Sequence, residues 1–298
     1  MKDAILVLGY NNTRINDVKK IREKAKNCLN AITILCKKDP NEIDKSAVDL
    51  TIDVGLEQGI ENLETITLAC KNNNIHIVGV LPFSDQGTQL GSQLAKHLNL
   101  PGANPDKINS ALNKYRFREE EISSKKPRGY VPVKAKKITC LEELQSTFIE
   151  FNSGVFLKPM AEGNSRGCIA IKKYEDCEHA WDEVKKYLAG GITAEKLIEN
   201  AQEYSWDHVA GYSWLTEKFT TQTQYRAEPQ HIIPSPITTN EAILLHEGGK
   251  FMAEVCGYDG SACHNEIFLL NTKDHVTAVS KIPSYFIEKK LFNHLIKI

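Results

Sequence analysis

The chain has 298 residues, with 37 basic against 38 acidic side chains, 41% hydrophobic residues and eight cysteines. That length leaves room for two domains with packed cores, and the balanced charge argues against a nucleic-acid footprint or an acidic tail. The cysteines, at positions 28, 36, 70, 140, 168, 177, 256 and 263, form no C-x-x-C pair and no metal-finger spacing, and most lie in apolar runs that suit a reducing cytoplasm. The start acquires polar residues too soon for a signal peptide. No stretch approaches the roughly 18 apolar residues of a membrane span.

Residues 1–105 alternate strand and helix signals. Residues 4–8 read as a buried strand, 15–29 as an amphipathic helix, 31–36 as a strand, 56–71 as a helix, 75–80 as a strand and 92–98 as a short helix. Such alternation predicts a parallel sheet covered on both faces, with its ligand side at the strand C-termini. Gly9-Tyr10-Asn11 and Pro82-Phe83-Ser84-Asp85-Gln86 fall there. A helix over 104–122 follows, with Asn104 as N-cap and Pro105 at its first position. Residues 125–129 form a turn and 141–151 a helix.

Two short strands, 154–157 and 168–171, then flank Lys158-Pro159-Met160-Ala161-Glu162-Gly163-Asn164-Ser165-Arg166-Gly167. The pattern predicts a hairpin. Its backbone N–H groups can fold over phosphate oxygens, and Lys158 adds a point charge. On these residues alone a surface hairpin with a solvated lysine competes with a phosphate site. Neither a P-loop nor a Gly-x-Gly-x-x-Gly turn is present. Further along, 174–188 reads as a helix, 194–200 as the start of a new unit, 204–209, 212–219 and 266–270 as strands, and 241–255 as a helix despite Gly248-Gly249.

Several motifs recur in one order: Gln93-Leu94-Ala95-Lys96-His97-Leu98-Asn99-Leu100-Pro101-Gly102, Asn113-Lys114-Tyr115-Arg116-Phe117-Arg118, Phe156-Leu157-Lys158-Pro159, Leu197-Ile198-Glu199, Glu203-Tyr204-Ser205-Trp206-Asp207 and Cys263-His264-Asn265-Glu266-Ile267-Phe268-Leu269-Leu270. Together they resemble the ATP-grasp superfamily of carboxylate–amine ligases, in its amino-acid ligase and biotin-carboxylase-like branch, over about residues 1–279. The resemblance implies an α/β and α+β chain. A Rossmann-like pre-ATP-grasp domain over 1–105 would precede an incomplete ATP-grasp fold over 106–298, divided into subdomains 106–190 and 191–298.

Carried over by position, the resemblance implies an ATP site. Lys114 and Lys158 would touch the phosphates, Gly163, Ser165 and Gly167 would close backbone over them, and Arg166 would add charge. Glu199 would read the adenine amino group, Glu203 would hold the ribose, and Glu266 would bind Mg²⁺, a hard cation that takes oxygen ligands. His264 reads as structural. The implied chemistry is phosphoryl transfer from ATP to a carboxylate, then displacement of phosphate by an amine. The implied partners are a small carboxylate and an amine, amino acids among them, with no nucleic acid and no membrane, in a homodimer. The resemblance assigns no catalytic side chain. Ser84-Asp85 and Tyr225-Arg226-Ala227-Glu228 are candidate contributors to substrate recognition.

One segment departs from the family pattern. Where Glu-x-Asn-x-Arg is expected, the register puts Ser280, Ile282 and Ser284. The chain ends 14 residues later, and the expectation is a C-terminal truncation in which the tail comes from a frameshift or early stop. The ligase would then be impaired. The alternatives are a catalytically inactive ATP-binding remnant or regulatory nucleotide-binding protein, and, more distantly, an α/β protein that binds no nucleotide.

Overall fold

Residues 1–163, 166–209, 211–221, 228–258, 261–271 and 276–284 are described by the structure, a computed structural model. They group into two units, residues 1–108 with 257–264 and residues 109–256 with 265–284. A single boundary near 105 is the expectation; the structure adds the return of 257–264 to the first unit.

The first unit runs β1 (Lys2–Leu8), α1 (Ile15–Leu29), β2 (Ile32–Lys37), α2 (Glu42–Ala47), β3 (Leu50–Asp53), α3 (Ile60–Asn72), β4 (Ile75–Pro82) and α4 (Thr88–His97). The strands are parallel, in the order β3-β2-β1-β4. Side chains alternate across a strand. Ala4, Leu6, Leu8, Ile34 and Cys36 therefore meet Ile66, Cys70, Leu90 and Leu94 of α3 and α4. Val7 and Leu35 point the other way, to Val18, Ile21 and Ala47 of α1 and α2. Both faces are covered, as near-continuous apolar strands require. The sequence reading lacks α2 and β3, which have only six and four residues. Their start is fixed by a capping box in which Asn41 and Asp44 satisfy each other's backbone N–H groups.

The second unit begins with α5 (Asn109–Leu112) and α6 (Lys114–Ser123). The single helix expected over 104–122 is a correction. Asn104 accepts from Asp106 N at 2.9 Å and closes only a turn. Asn113, with φ −131°, accepts from the N–H groups of Tyr115 and Arg116 and caps a new helix there.

Next come β5 (Tyr130–Val131), β6 (Ala135–Ile138), α7 (Leu141–Phe151), β7 (Val155–Pro159), β8 (Ile169–Ile171), α8 (Cys177–Val184) and β9 (Ile192–Lys196). The expected hairpin is present, since β7 and β8 pair antiparallel. Strand β9, expected to open a new unit, instead pairs with both β6 and β7.

The remainder is β10 (Gln202–Val209), β11 (Tyr212–Phe219), β12 (Gln230–Ile232), α9 (Thr239–Cys256), β13 (Cys263–Asn271) and β14 (Val276–Ser284). Among the described residues these give sheets ordered β6-β9-β7-β8 and β12-β11-β10-β13-β14-β5. The fold is mixed α/β, as expected. Among the described residues the eight cysteines form no disulfide. Among the described residues no helix is long and apolar enough to cross a membrane. The tail, 285–298, lies outside the described residues.

Candidate functional site

Strands β7 and β9 have one apolar and one charged face. Val155, Leu157, Ile192 and Ala194 pack against α7 and α8 through Leu144, Phe151, Cys177, Ala180 and Val184. Alternation turns Lys158 and Glu195 to the opposite face. The register pairs Phe156 with Glu195 and Lys158 with Thr193, so Lys158 and Glu195 are diagonal neighbours. Their side chains form an ion pair and are 3% and 5% exposed.

Arg118 of α6 reaches the same carboxylate. Its Nε donates to Glu195 Oε1 at 2.9 Å and its Nη2 to Oε2 at 3.2 Å. Its Nη1 donates to Glu121 Oε2 at 3.0 Å and to Ser280 Oγ, while Tyr130 Oη donates to Glu121 Oε1 at 2.6 Å. Burial alone would raise the Glu195 carboxyl, but the charges of Arg118 and Lys158 hold it at about 2. Burial and the Glu121 carboxylate push the Tyr130 hydroxyl well up.

Lys114 opens α6, and its Nζ donates to the carbonyl of Glu162. Burial, and then the charge of Lys158, lower its pKa from the ordinary lysine value. Two ammonium groups from different elements thus converge at the root of the hairpin loop. In that loop Arg166 N donates to Gly163 O at 3.2 Å, and Arg166 Nη2 lies 3.0 Å from Glu162 Oε2. Gly167 has φ +68°, and a Cβ there would come within 2.5 Å of Tyr187 and 2.9 Å of Pro159. Only glycine takes that backbone without strain. Ser165 lies outside the described residues.

A second cluster lies on the six-stranded sheet. Glu203 of β10 stands directly opposite Lys218 of β11. Lys218 Nζ lies 3.3 Å from Glu203 Oε1 and 2.7 Å from Glu228 Oε1, and also contacts Glu266 Oε1. Burial would lower the Lys218 ammonium, but Glu266, Glu203 and Glu228 hold it above the ordinary range. Lys281 Nζ lies 2.6 Å from Glu203 Oε1 and 3.4 Å from Glu266 Oε2.

Carboxylate oxygens of Glu203, Glu228 and Glu266 lie within 4.8 Å of one another, a hard-cation donor set in kind. Yet an ammonium holds each oxygen of Glu266. As it stands the cluster does not fit a divalent ion.

The predicted site residues therefore fall into three groups. Lys114, Lys158, Arg166 and the loop glycines gather at the hairpin. Glu199 is exposed and pairs with Lys172 at 2.6 Å. Glu203, buried and shared by two lysines, joins Glu266 rather than Glu199. A narrow cavity of about 10 Å³ is lined by Lys114, Arg118, Glu195 and Lys281, and so connects the first group to the third. A broader groove of about 600 Å³ is lined by Asn113, Tyr115, Arg116, Lys137 and Met160 and contains none of the predicted site residues.

Sequence reasoning assigned no role to Arg118, Glu195, Lys218 or Lys281. Arg118 lies in the highly charged helix Lys114–Ser123, and Glu195, Lys218 and Lys281 have polar neighbours in their strands, so the sequence carries no signal of their burial. Residues 222–227, which include Tyr225-Arg226-Ala227, lie outside the described residues, as do the side chains of Ile282 and Ser284. Ser280 points to Arg118 and Glu121, and the neighbouring Lys281 is the residue that meets Glu266.

No family-level sequence profile matches the chain. The chain is 24% identical over 209 residues to an alanine–anticapsin ligase of Bacillus amyloliquefaciens, an alignment covering 61% of this chain and 43% of that protein. It thus spans under half the length of that curated relative. The crystal structure of an L-amino acid ligase from Bacillus licheniformis superposes with TM-score 0.74 at 16% identity, over 100% of this chain and 70% of that one. A biotin carboxylase–β,γ-ATP complex from Campylobacter jejuni superposes with TM-score 0.68 at 16% identity, over 98% of this chain and 67% of the other.

Proposed function

We propose that this chain, whose fold is that of the ATP-grasp carboxylate–amine ligases, binds ATP and joins a small carboxylate to an amine. The observation that carries the reading is the convergence of Lys114 and Lys158 beneath the hairpin loop, where burial and the charge of Lys158 disfavour the Lys114 ammonium and an anion would favour it. Triphosphate oxygens suit that place. Gly163, Ser165 and Gly167 would present backbone N–H groups to them, and Arg166 would add charge at the rim. Glu199, exposed after β9, is the acceptor we assign to the adenine amino group.

The reaction is a phosphoryl transfer. A carboxylate oxygen attacks the γ-phosphorus, ADP leaves, and the acylphosphate carbon is then attacked by an amine nitrogen, with phosphate and a proton released. The protein's part is positioning and charge neutralisation, here by Lys114 and Lys158, with Glu195 and Arg118 fixing Lys158. Mg²⁺ enters as the counter-ion that ATP carries. The names of the relatives support amino acids as the substrate class. A reducing cytoplasm agrees with cysteines that form no disulfide among the described residues, and a homodimer is the assembly we expect.

A second reading, nucleotide binding without turnover, is favoured by one observation: Lys218 and Lys281 already neutralise the carboxylates of Glu203 and Glu266. The deciding experiment is ADP release by the purified chain with Mg-ATP and pooled amino acids, beside Lys158→Ala. Release that needs both an amino acid and Lys158 establishes the ligase. The variant should lose about 10³-fold or more in rate, as for other cations positioned on a transferring phosphoryl group. Mg-ATP binding by calorimetry with no release supports the second reading. Absence of binding overturns both.

A further inference from the structure

Among the described residues, Glu203, Lys218, Glu228, Glu266 and Lys281 share the face of the sheet formed by β10, β11, β13 and β14 and the segment leading to β12. The lysines differ in access. The Lys218 side chain is 1% exposed and enclosed by all three carboxylates, whereas that of Lys281 is 19% exposed.

Strand alternation gives the cause. Ser280 turns to Arg118 and Glu121, so its successor turns to Glu203 and Glu266. The residue β14 offers to that carboxylate pair is thus an ammonium. Adding a divalent ion to Glu203 and Glu266 would set a double charge within a few ångströms of both lysines, a repulsion that grows as water is excluded.

We propose that Lys281 is a tethered cation that holds Glu203 and Glu266 in the place of a divalent metal ion and must swing out before one can bind. The buried Lys218 stays and keeps the carboxylates together. Lys281 can leave, because its flexible four-carbon stem places the ammonium at the cluster's open side. Metal loading at this face is then a competition between a free ion and a built-in one. The inference bears on the proposed nucleotide site, since the same cavity is lined by Lys114 and Lys281, but it does not need a nucleotide to be tested.

The experiment is a Mn²⁺ titration of the full chain without nucleotide, read by the electron paramagnetic resonance of the free ion. Wild type, Lys281→Met and Lys281→Gln are compared, with circular dichroism and thermal unfolding as fold controls. Removing the ammonium should tighten Mn²⁺ binding by about tenfold or more, since even a screened repulsion of this kind amounts to that much. Glu266→Gln added to Lys281→Met should abolish the gain. Folded Lys281 variants that bind Mn²⁺ no tighter than wild type overturn the proposal. So does a gain that survives Glu266→Gln, because the ion is then elsewhere. Lys281→Gln keeps the stem and a hydrogen-bond donor, and serves if the methionine variant does not fold. A failure to bind ATP would sink the proposed function and leave this result standing.

Discussion

Glu195 balances the buried Lys158 and shares the buried Arg118 with Glu121. Its carboxylate accepts from Arg118 Nε at 2.9 Å and pairs with Lys158 Nζ, and all three side chains are almost fully buried. Withdrawing such charges from water costs several kcal/mol each, and removing one partner costs about 3–5 kcal/mol. Glu195→Gln should lower the unfolding free energy by about that much at pH 7. The pH dependence follows from the carboxyl's displacement from 4.5 to about 2. A carboxyl with a lowered folded-state pKa contributes fully above 4.5 and loses that contribution as pH falls through about 2. The gap between wild type and Glu195→Gln in urea unfolding should therefore narrow between pH 4.5 and 2, and a constant gap would sink the assignment. Little of this was legible in the sequence. Lys158 stood out because Lys-Pro follows an apolar run before a glycine-bearing loop. Glu195 falls in the segment 194–200, which reads only as the start of a new unit. Its role appears only once β7 and β9 are known to pair, and 37 residues separate it from Lys158.

The element that tests the packing of the second unit is α9. Its Gly248-Gly249 pair seemed a weakness in a helix, since glycine costs about 1 kcal/mol there relative to alanine. The structure supplies the reason: a Cβ on Gly249 would lie 2.2 Å from Trp206 Cγ, and one on Gly248 would lie 3.1 Å from the ring of Tyr130. The helix lies directly on β10, and alanine cannot enter without moving the indole. Gly249→Ala should thus destabilise by about 1–3 kcal/mol through overpacking. On an open helix surface the same change should stabilise by about 1 kcal/mol, so the sign in urea unfolding decides. Helices with strong 3.6-residue periodicity were legible; α1 and α7 match their expected bounds. What sequence reading lacked were elements defined by partners rather than period: β3, β5 and β6, four residues or fewer, are strands only because a neighbour pairs with them.

At the scale of the whole molecule, the two units have separate cores. The first packs Leu6, Ile34 and Leu90 about a parallel sheet, and the second packs Leu144, Leu157 and Ala194 beneath the strand of Lys158. A chain built this way need not unfold in one step, and a ligand stabilises only the part whose folded form it binds. Lys114, Lys158, Gly163 and Gly167 all belong to residues 109–256. If the nucleotide site is where we assign it, ATP should shift the melting of that unit and leave a separable first transition in place. At a hundredfold excess over its dissociation constant a ligand adds about 2.7 kcal/mol, or roughly 5–10 °C at about 2–4 °C per kcal/mol for a unit of this size. Calorimetry with and without Mg-ATP measures it. Lys158→Met should melt lower than wild type and, once folded, show no shift. A shift that persists in the variant would move the phosphates away from Lys158, and one confined to the other transition would assign the nucleotide to the parallel sheet, whose strand C-termini at Gly9 and Phe83 are the alternative ligand edge.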